Sequence, residues 1–342
     1  MIEVEHLYKV YGDHPAIQDV SFSVKTGEIL GFLGPNGAGK TTTMRILSGY
    51  LPANSGTAVV AGYDVHQDSL AVRQRIGYLP ETPPLYLDMT VESFLGFVAS
   101  IKGISAGDRP LRVDSAIQRC GLQEKRDVLI RKLSKGFKQR VGIAQAIVHD
   151  PPVIILDEPT VGLDPRQIIE VRNLIRSLAE QHTVILSTHI LPEVSMTCDR
   201  ITIINRGHIV ATDTPSNLEA QLAGSKGYEV EVAGDVTVAL QQLQAIPGVQ
   251  SVEIVSAASA TLPPDHHQLQ ILLEPAVDVG AAIAQTLVTA NLGLYELRRT
   301  RATLEDVFLQ LTTQDVTDQD TTAPEETVPS ATESQSEAAS KP

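Results

Sequence analysis

A glycine-rich stretch that ends in lysine and threonine carries the clearest chemical signal in the sequence. Its residues are, in order, Gly34, Pro35, Asn36, Gly37, Ala38, Gly39, Lys40 and Thr41, followed by Thr42. Glycine has no Cβ, so backbone N–H groups in such a stretch can approach phosphate oxygens, and a helix beginning near Lys40 adds its positive end. In this pattern the lysine bridges the outer phosphates and the threonine hydroxyl ligates Mg²⁺. The stretch therefore predicts a loop that binds the phosphates of a nucleotide.

Two adjacent carboxylates, Asp157 and Glu158, close the apolar run 153–156. Successive side chains of a strand point to opposite faces, so we expect these acids to have different roles. Asp157 is predicted to reach the Mg²⁺ held by Thr41, and Glu158 to face water near the terminal phosphate. The alternative is a pair of solvated acids in a turn.

Two further polar residues are predicted at the ends of strands. His189 follows the apolar run 183–187 and emerges at the same edge as the acid pair if the strands are parallel. Taken alone, a histidine at the end of a strand is more often structural than catalytic. Glu81 ends the short run 76–80, before two prolines that force a loop.

Ser134 and Gly136 open another predicted helix. Serine is a preferred N-cap and glycine leaves the first turn open, so this helix start can accept an anion, although many helices begin with serine and bind nothing. Tyr11, which precedes a glycine upstream of the phosphate loop, is the candidate for stacking on an adenine base. The alternative, a tyrosine packed on its own sheet, is about equally compatible with the sequence.

Buried strands alternating with helices over the first 220 or so residues predict an α/β core that positions these groups. Helical spacing at 90–102, at 111–120 and from Glu124 onward predicts an inserted helical subdomain at about 85–150. From residue 228 the order βαββαβ predicts a ferredoxin-like α+β module at 225–312, with a closing helix at 303–309 and with His266 and His267 in a solvated loop. The acidic, Thr- and Ser-rich tail at 313–342 is predicted to be disordered.

Composition limits the classes of function. The 342 residues suffice for an α/β core and a second small domain, and the net charge of −14 disfavours binding to duplex nucleic acid or a polybasic membrane anchor. The acidic N-terminus and the lack of a long apolar run predict neither secretion nor a membrane span. Only Cys120 and Cys198 are present, which predicts neither a disulfide framework nor a zinc site.

The order of these motifs, together with the Asp164 loop, resembles the nucleotide-binding subunit of ATP-binding cassette (ABC) transporters. The resemblance implies a P-loop NTPase fold of the ABC type spanning residues 1–224, with ATP and Mg²⁺ as ligands. It also implies roles for individual residues: Tyr11 in adenine stacking, Gly34 to Thr41 as the Walker A loop, Glu81 in the Q-loop, Leu133 to Phe137 as the signature motif, Asp157 as the Walker B aspartate, Glu158 as the catalytic glutamate, Asp164 in the D-loop and His189 as the switch histidine.

Two positions depart from the usual family pattern. The signature motif has Lys135 and Phe137 where glycine and glutamine are usual, and Glu81 stands where the Q-loop usually has glutamine. Ser134 and Gly136 are kept, so we expect binding across a dimer to survive. Glu81 is expected to touch the Mg²⁺ shell, as a metal-site residue with Thr41 and Asp157, but it adds negative charge near the phosphates. Both variants are similar to the exporter branch that includes gliding-motility, sodium-efflux and drug-export cassettes.

The resemblance implies an ATPase subunit that binds two MgATP at the interface of a head-to-tail homodimer, or of a pair with another ABC subunit. It would drive a separate transmembrane permease from the cytoplasmic face of the membrane, without inserting into the bilayer or binding nucleic acid. One alternative is an ABC-type ATPase that acts on ribosomes or DNA. Another is a P-loop kinase or GTPase, which lacks counterparts of Ser134 and His189. The ferredoxin-like module is expected to support the dimer or to regulate it.

Overall fold

The computed structural model describes residues 1–221, 227–255, 263, 265–274, 277–300 and 308. The strands are β1 (Ile2–Tyr11), β2 (His14–Val24), β3 (Ile29–Leu33), β4 (Ser55–Val60), β5 (Tyr63–Asp64), β6 (Ile76–Leu79), β7 (Val153–Asp157), β8 (Thr183–Thr188), β9 (Arg200–Asn205), β10 (His208–Asp213), β11 (Gly227–Ala233), β12 (Val249–Ile254), β13 (His266–Leu273) and β14 (Gly293–Thr300). The α-helices are α1 (Lys40–Leu47), α2 (Ser69–Arg75), α3 (Val91–Ile101), α4 (Arg109–Arg119), α5 (Lys135–Ile147), α6 (Pro165–Ala179), α7 (Leu191–Thr197), α8 (Pro215–Gln221), α9 (Val236–Gln244) and α10 (Gly280–Thr289).

A six-stranded sheet with the order β10-β9-β3-β8-β7-β6 forms the centre of the α/β core. Its strands from β9 to β6 are parallel, and β10 pairs antiparallel with β9. Every residue of β3, β7 and β8 is buried, as expected for parallel strands covered on both faces. The carboxyl ends of β3, β7 and β8 therefore meet at one edge, the edge at which open α/β sheets bind ligands.

A second, antiparallel sheet with the order β2-β1-β4-β5 covers one side of the core. Along β1 and β2, buried and exposed residues partly alternate, so that Ile2 and Val4 face inward. They share a buried cluster with Met44 of α1 and Phe32 of β3. The helix that follows the phosphate loop is thus packed into the core through its apolar residues.

The helical subdomain contains α3, α4 and α5, which share the other main cluster of buried side chains. The prediction of a helix from Glu124 onward is wrong, because the segment forms two short 3₁₀ turns, Gln123–Lys125 and Ile130–Lys132. Its backbone instead bonds to the start of α3: Val91 N donates to Val128 O, and Ile130 N donates to Met89 O. Tertiary pairing thus replaces the local helical bonds that the apolar spacing suggested.

The C-terminal segment forms a four-stranded antiparallel sheet with the order β12-β13-β11-β14. Apolar residues of α9 and α10 pack with this sheet in a separate cluster. The solvated loop expected at His266 and His267 is wrong, because both residues lie in β13 and pair with β11. His266 Nδ1 also lies 2.6 Å from Glu231 Oε1. The predicted boundary at residues 224–225, the predicted helix at 303–309 (except Phe308) and the acidic tail lie outside the described residues.

Among the helices that the structure describes, none combines the length and the apolar character needed to cross a lipid bilayer.

Candidate functional site

A cavity of about 370 Å³ lies at the carboxyl edge of the parallel sheet. The register of the parallel strands places Leu33 beside Thr188 and Asp157 beside Ser187, so the loops after β3, β7 and β8 meet there. The cavity is lined by Ala16, Asn36, Gly37, Gly39, Lys40, Thr41, Thr42, Glu81, Glu158, Val161 and His189. It therefore joins the phosphate-loop residues with two of the predicted acids and the predicted histidine.

The phosphate loop turns into α1 at Gly39, which has a φ of 107°. A Cβ at this position would lie 2.6 Å from the carbonyl oxygen of Ala16 on β2, so the tight approach of loop and strand requires glycine. The first amides of α1 have no acceptor within the helix, and they add the positive end of its dipole. The loop and the helix start together form a site suited to an anion.

Lys40, the first residue of α1, has a buried side chain with a fixed position. Its Nζ donates to Gly34 O at 2.8 Å and to Pro35 O at 3.2 Å. The same atom lies 3.4 Å from Glu158 Oε1. Carbonyl groups of the phosphate loop thus hold the positively charged end of Lys40 inside the loop.

Thr41 and Asp157 lie together below the phosphate loop. Thr41 Oγ1 donates to Asp157 Oδ1 at 3.2 Å, and Ser187 Oγ donates to the same oxygen at 2.5 Å. Asp157 Oδ2 is buried and has no hydrogen-bond partner within the described part of the chain. A buried carboxylate oxygen without a donor, beside a hydroxyl, fits the all-oxygen coordination that Mg²⁺ prefers.

Electrostatics at Asp157 agree with a cation site. Burial raises the pKa of its carboxyl group; hydrogen bonds from Ser187 and Thr41 lower it, and the charges of Glu158 and Glu81 raise it further. The negative charges of Glu158 and Glu81 thus act on Asp157, and a cation bound beside Asp157 would offset this repulsion.

The backbone of Glu158 departs from the extended conformation of β7, which ends at Asp157. Its φ is 49°, a left-handed conformation that is unusual for a residue other than glycine and that clusters at functional sites. Its backbone N–H lies 3.1 Å from both the carbonyl oxygen and the hydroxyl oxygen of Ser187, which holds the turn. His189 Nδ1 lies 3.0 Å from Glu158 Oε2, so the acid has the lysine on one side and the histidine on the other.

Eight predicted site residues do not line the cavity. Gly34, Pro35 and Ala38 belong to the phosphate loop itself, and Asp157 accepts a hydrogen bond from Thr41 of that loop. The other four are Ser134, Gly136, Asp164 and Tyr11. Ser134 is the N-cap of α5, where its hydroxyl accepts from Phe137 N, and Asp164 is the N-cap of α6, where its carboxylate accepts from Gln167 N at 2.9 Å. Gly136 is buried against the Gln167 side chain, and a Cβ there would lie 2.4 Å from the side-chain oxygen of Gln167. These three residues thus form a separate group at the starts of α5 and α6.

Tyr11 is the fourth of these residues. It lies exposed at the end of β1, and Lys9 Nζ is 5.5 Å from the centre of its ring.

Sequence reasoning missed three residues of the site: Ala16, Val161 and Ser187. Ala16 and Val161 line the cavity, and Ser187 holds Asp157 and Glu158. Ala16 and Val161 belong to no pattern of spacing or residue type, because each reaches the site through the tertiary fold. Ser187 alone had a signal, its position just before the end of a buried strand that points at the cavity.

Comparison with known proteins agrees with this geometry. The sequence profile of the family described as "ABC transporter" matches residues 17–161. The linearmycin resistance ATP-binding protein LnrL of Bacillus subtilis (strain 168) is 32% identical over 327 residues, which cover 93% of this chain and 100% of the relative. The Nod factor export ATP-binding protein I of Ralstonia nicotianae is 35% identical over 319 residues, 93% of this chain and 95% of the relative.

Two solved structures share the fold of about two thirds of the chain. One, described as an ATP binding subunit of an ABC transporter, has a TM-score of 0.59 and 32% identity, and the match covers 65% of this chain and 92% of that one. The other is a dimeric structure of MJ0796, a bacterial ABC transporter cassette, with a TM-score of 0.58, 25% identity, and coverage of 63% of this chain and 98% of that one.

Proposed function

The chain belongs to the ABC transporter family as an ATP-binding subunit, an ATPase that uses ATP and Mg²⁺, and from this premise we propose that it drives a separately encoded exporter permease. The proposal requires an ATP site completed by two subunits, and the observation that carries this requirement is the division of the site residues into two groups. Lys40, Glu158 and His189 surround the cavity, whereas Ser134 and Gly136 lie outside it.

Two copies of the chain arranged head to tail would unite these groups. The α5 start of one subunit, with Ser134 and Gly136, would cover the phosphates bound at Lys40 of the other, and Asp164 would lie at the same interface. A nucleotide bound this way contacts both subunits and stabilises their association. The dimeric cassette MJ0796, with the same fold, supports this arrangement.

Within one site, we assign each side chain a role in ATP hydrolysis. Lys40 binds the outer phosphates from its fixed position, and Glu158 accepts a proton from the attacking water. An ionised carboxylate only accepts hydrogen bonds, so His189 donates to Glu158 through Nδ1 and orients the acid toward the attacking water. Thr41 and Asp157 would hold Mg²⁺, with Glu81 near its hydration shell; when bound, the ion neutralises charge on the phosphates.

The surface that would receive the permease is proposed to lie on the helical subdomain. Phe97 and Ile101, one turn apart on α3, are exposed, and the exposed ring of Tyr86 packs edge-on against Phe97 with ring centroids 5.4 Å apart. Contiguous exposed apolar side chains of this kind mark protein interaction sites. We name these three residues the α3 surface. Its connection to the cavity runs through the loop of Glu81, which follows β6 and precedes α3.

The assignment to an exporter rests on the motif variants at Lys135, Phe137 and Glu81 and on the relative named as a Nod factor export protein. Such a subunit would work at the cytoplasmic face of the membrane, held there by its permease. We propose that residues 1–224 form the ATPase domain, with Tyr11 next to the adenine base. The module at 225–312 would support or regulate the dimer.

Purification of the tagged full chain from detergent-solubilised membranes of its native cells tests the partner. We expect a membrane protein with several spans to co-purify, identified by mass spectrometry. Recovery with ribosomes or DNA instead would contradict the proposal and favour the alternative of an ATPase that acts on nucleic-acid assemblies.

Three variants locate the contact with the permease. Phe97→Asp or Ile101→Asp is expected to lose the membrane partner, because a charge on the α3 surface would have to be desolvated in the complex. Leu111→Asp, at an exposed position on α4, is the matched control and should keep the partner. None of these residues lines the cavity, so the ATPase rate of the purified subunit should be unchanged in all three variants.

A further inference from the structure

Glu193 is a buried acid for which the steps above have no role. It lies on α7, its side chain is 2% exposed, and the described residues give it no cationic partner. Its Oε1 accepts a short hydrogen bond from Thr160 Oγ1, and its Oε2 accepts from Thr188 Oγ1 at 2.8 Å. Burying a carboxylate is costly unless its oxygens are satisfied, and here both oxygens have a hydroxyl donor.

The two threonines adjoin the residues proposed for hydrolysis. Thr160 lies two positions after Glu158, and Thr188 immediately precedes His189. Both threonines are buried, at 3% and 0% exposure. The carboxylate of Glu193 therefore joins the loop after β7 to the end of β8.

These contacts close a ring. The backbone connects Glu158 to Thr160, and Thr188 to His189. The Glu193 carboxylate accepts hydrogen bonds from the hydroxyls of Thr160 and Thr188. The last link is the contact of His189 Nδ1 with Glu158 Oε2 at 3.0 Å. Thr188 is also tied to the phosphate loop, because its carbonyl oxygen accepts from Gly34 N at 3.3 Å. Glu158 and His189 line the cavity, whereas Thr160, Thr188 and Glu193 do not. The second group therefore holds the first in place.

We propose that Glu193 is a positioning residue for ATP hydrolysis, which fixes the separation of Glu158 and His189 by holding Thr160 and Thr188 together. The proposal rests on the roles proposed above for Glu158 and His189. Glu193 itself does not line the cavity. Catalytic groups need such support, because displacement by about 1 Å can lower a rate by about 100-fold.

The first test is Glu193→Gln in the full chain. Glutamine has the same size, but its amide nitrogen cannot accept, so one of the two threonine hydroxyls can no longer donate to this side chain. We expect kcat for ATP to fall by about tenfold to 100-fold. The KM for ATP should stay close to that of the parent, because the residues of the phosphate loop are unchanged. The midpoint of thermal unfolding should fall no further than it does in the Glu28→Gln control described below. A parental kcat would overturn the proposal.

A pair of variants at Thr188 tests the positioning role even if Glu193→Gln does not fold. Thr188→Val removes the hydroxyl at nearly constant volume and should lower kcat in the same way. Thr188→Ser keeps the hydroxyl and should retain most of the parental kcat. Equal rates for the two variants would overturn the proposal.

Coupling to His189 separates positioning from a general structural effect. In a His189→Ala background, Glu193→Gln should cause little further loss of kcat, because its effect acts through His189 and Glu158. A full additional tenfold loss would contradict the proposal.

The matched control is Glu28→Gln. Glu28 is also a buried acid, 8% exposed and paired with Arg200, but it does not line the cavity. This variant should lose stability and keep kcat. If the parent itself failed to hydrolyse ATP, the proposed function would fall; if the parent hydrolysed ATP and the Glu193 and Thr188 variants did so equally well, only the positioning role would fall.

Discussion

Lys40 Nζ lies 3.4 Å from Oε1 of Glu158, and both side chains are almost completely buried. The lysine thus has a carboxylate beside it at the place where the family binds phosphate. Because Glu158 and the phosphates carry charge of the same sign, the acid must oppose nucleotide binding even though it is proposed to be needed for turnover. The charge of this one residue therefore has opposite effects on affinity and on rate.

Replacement of Glu158 by glutamine should separate these effects. The variant Glu158→Gln is expected to lower the hydrolysis rate by about 10² to 10⁴, the usual contribution of general-base assistance. It should bind ATP at least as tightly as the parent and remain a dimer in the presence of MgATP. Phosphate release and size-exclusion chromatography measure the two outcomes. Hydrolysis at the parental rate would remove Glu158 from the mechanism.

Ser134→Ala tests the composite site. Loss of a hydrogen bond to a charged phosphate is expected to lower turnover of the purified subunit by about tenfold to 100-fold, without abolishing nucleotide binding by the monomer. The variant also loses a helix cap, which costs about 0.5–2 kcal/mol of stability. Thr90→Ala controls for this cost, because the Thr90 hydroxyl caps α3 by accepting from Ser93 N at 3.2 Å. If both variants slowed turnover equally, the slowing would be due to lost capping.

Two glycine substitutions test whether the space around a glycine decides the effect on stability: Gly77 lies where β6 contacts α5, and Gly96 lies at an open position of α3. A Cβ on Gly77 of β6 would lie 2.1 Å from the carbonyl oxygen of Ala146 on α5, so Gly77→Ala should destabilise the protein by about 1–3 kcal/mol or more. A Cβ on Gly96, inside α3, would meet no atom within 4 Å, and Gly96→Ala should stabilise by about 0.5–1 kcal/mol. Urea unfolding of the two variants should give changes of opposite sign.

His149 should make stability depend on pH. Burial, reinforced by the charge of Lys102, lowers the pKa of His149 to about 4, from 6.5 for a free histidine, and its Nε2 lies 3.0 Å from Ile76 O. Between pH 6.5 and 4 the unfolded chain therefore binds a proton that the folded chain does not, so stability is present above this window and is lost as pH falls through it. The shift corresponds to about 3 kcal/mol.

Glutamine in place of His149 should remove this part of the pH dependence, because it can still donate to Ile76 O but does not titrate. We expect the unfolding midpoint of His149→Gln to fall less steeply from pH 6.5 to pH 4 than that of the parent. His208→Gln, at an exposed position on β10, is the matched control. Identical slopes for parent and His149→Gln would show that His149 does not titrate differently on folding.

Much of the fold could be predicted from local patterns. The buried runs at β3, β7 and β8, the helices α3 and α4, and the cap of α5 at Ser134 each follow from apolar spacing or capping chemistry within a few residues. The prediction failed for the segment after Glu124, where bonds to the start of α3 outweighed the local helical pattern. His266 likewise became part of a strand through its pairing with β11.

The sequence by itself determined the phosphate loop and the family, because glycines, lysine and threonine at fixed offsets within one turn are a local requirement of phosphate binding. The tertiary structure decided which side chains meet. It placed Lys40 against Glu158, put Ala16 and Val161 in the cavity wall, and kept Ser134 outside it. Contacts such as Glu193 with Thr160 join residues about 30 positions apart, and their partners are chosen by strand register and helix packing, which leave no spacing pattern in the chain.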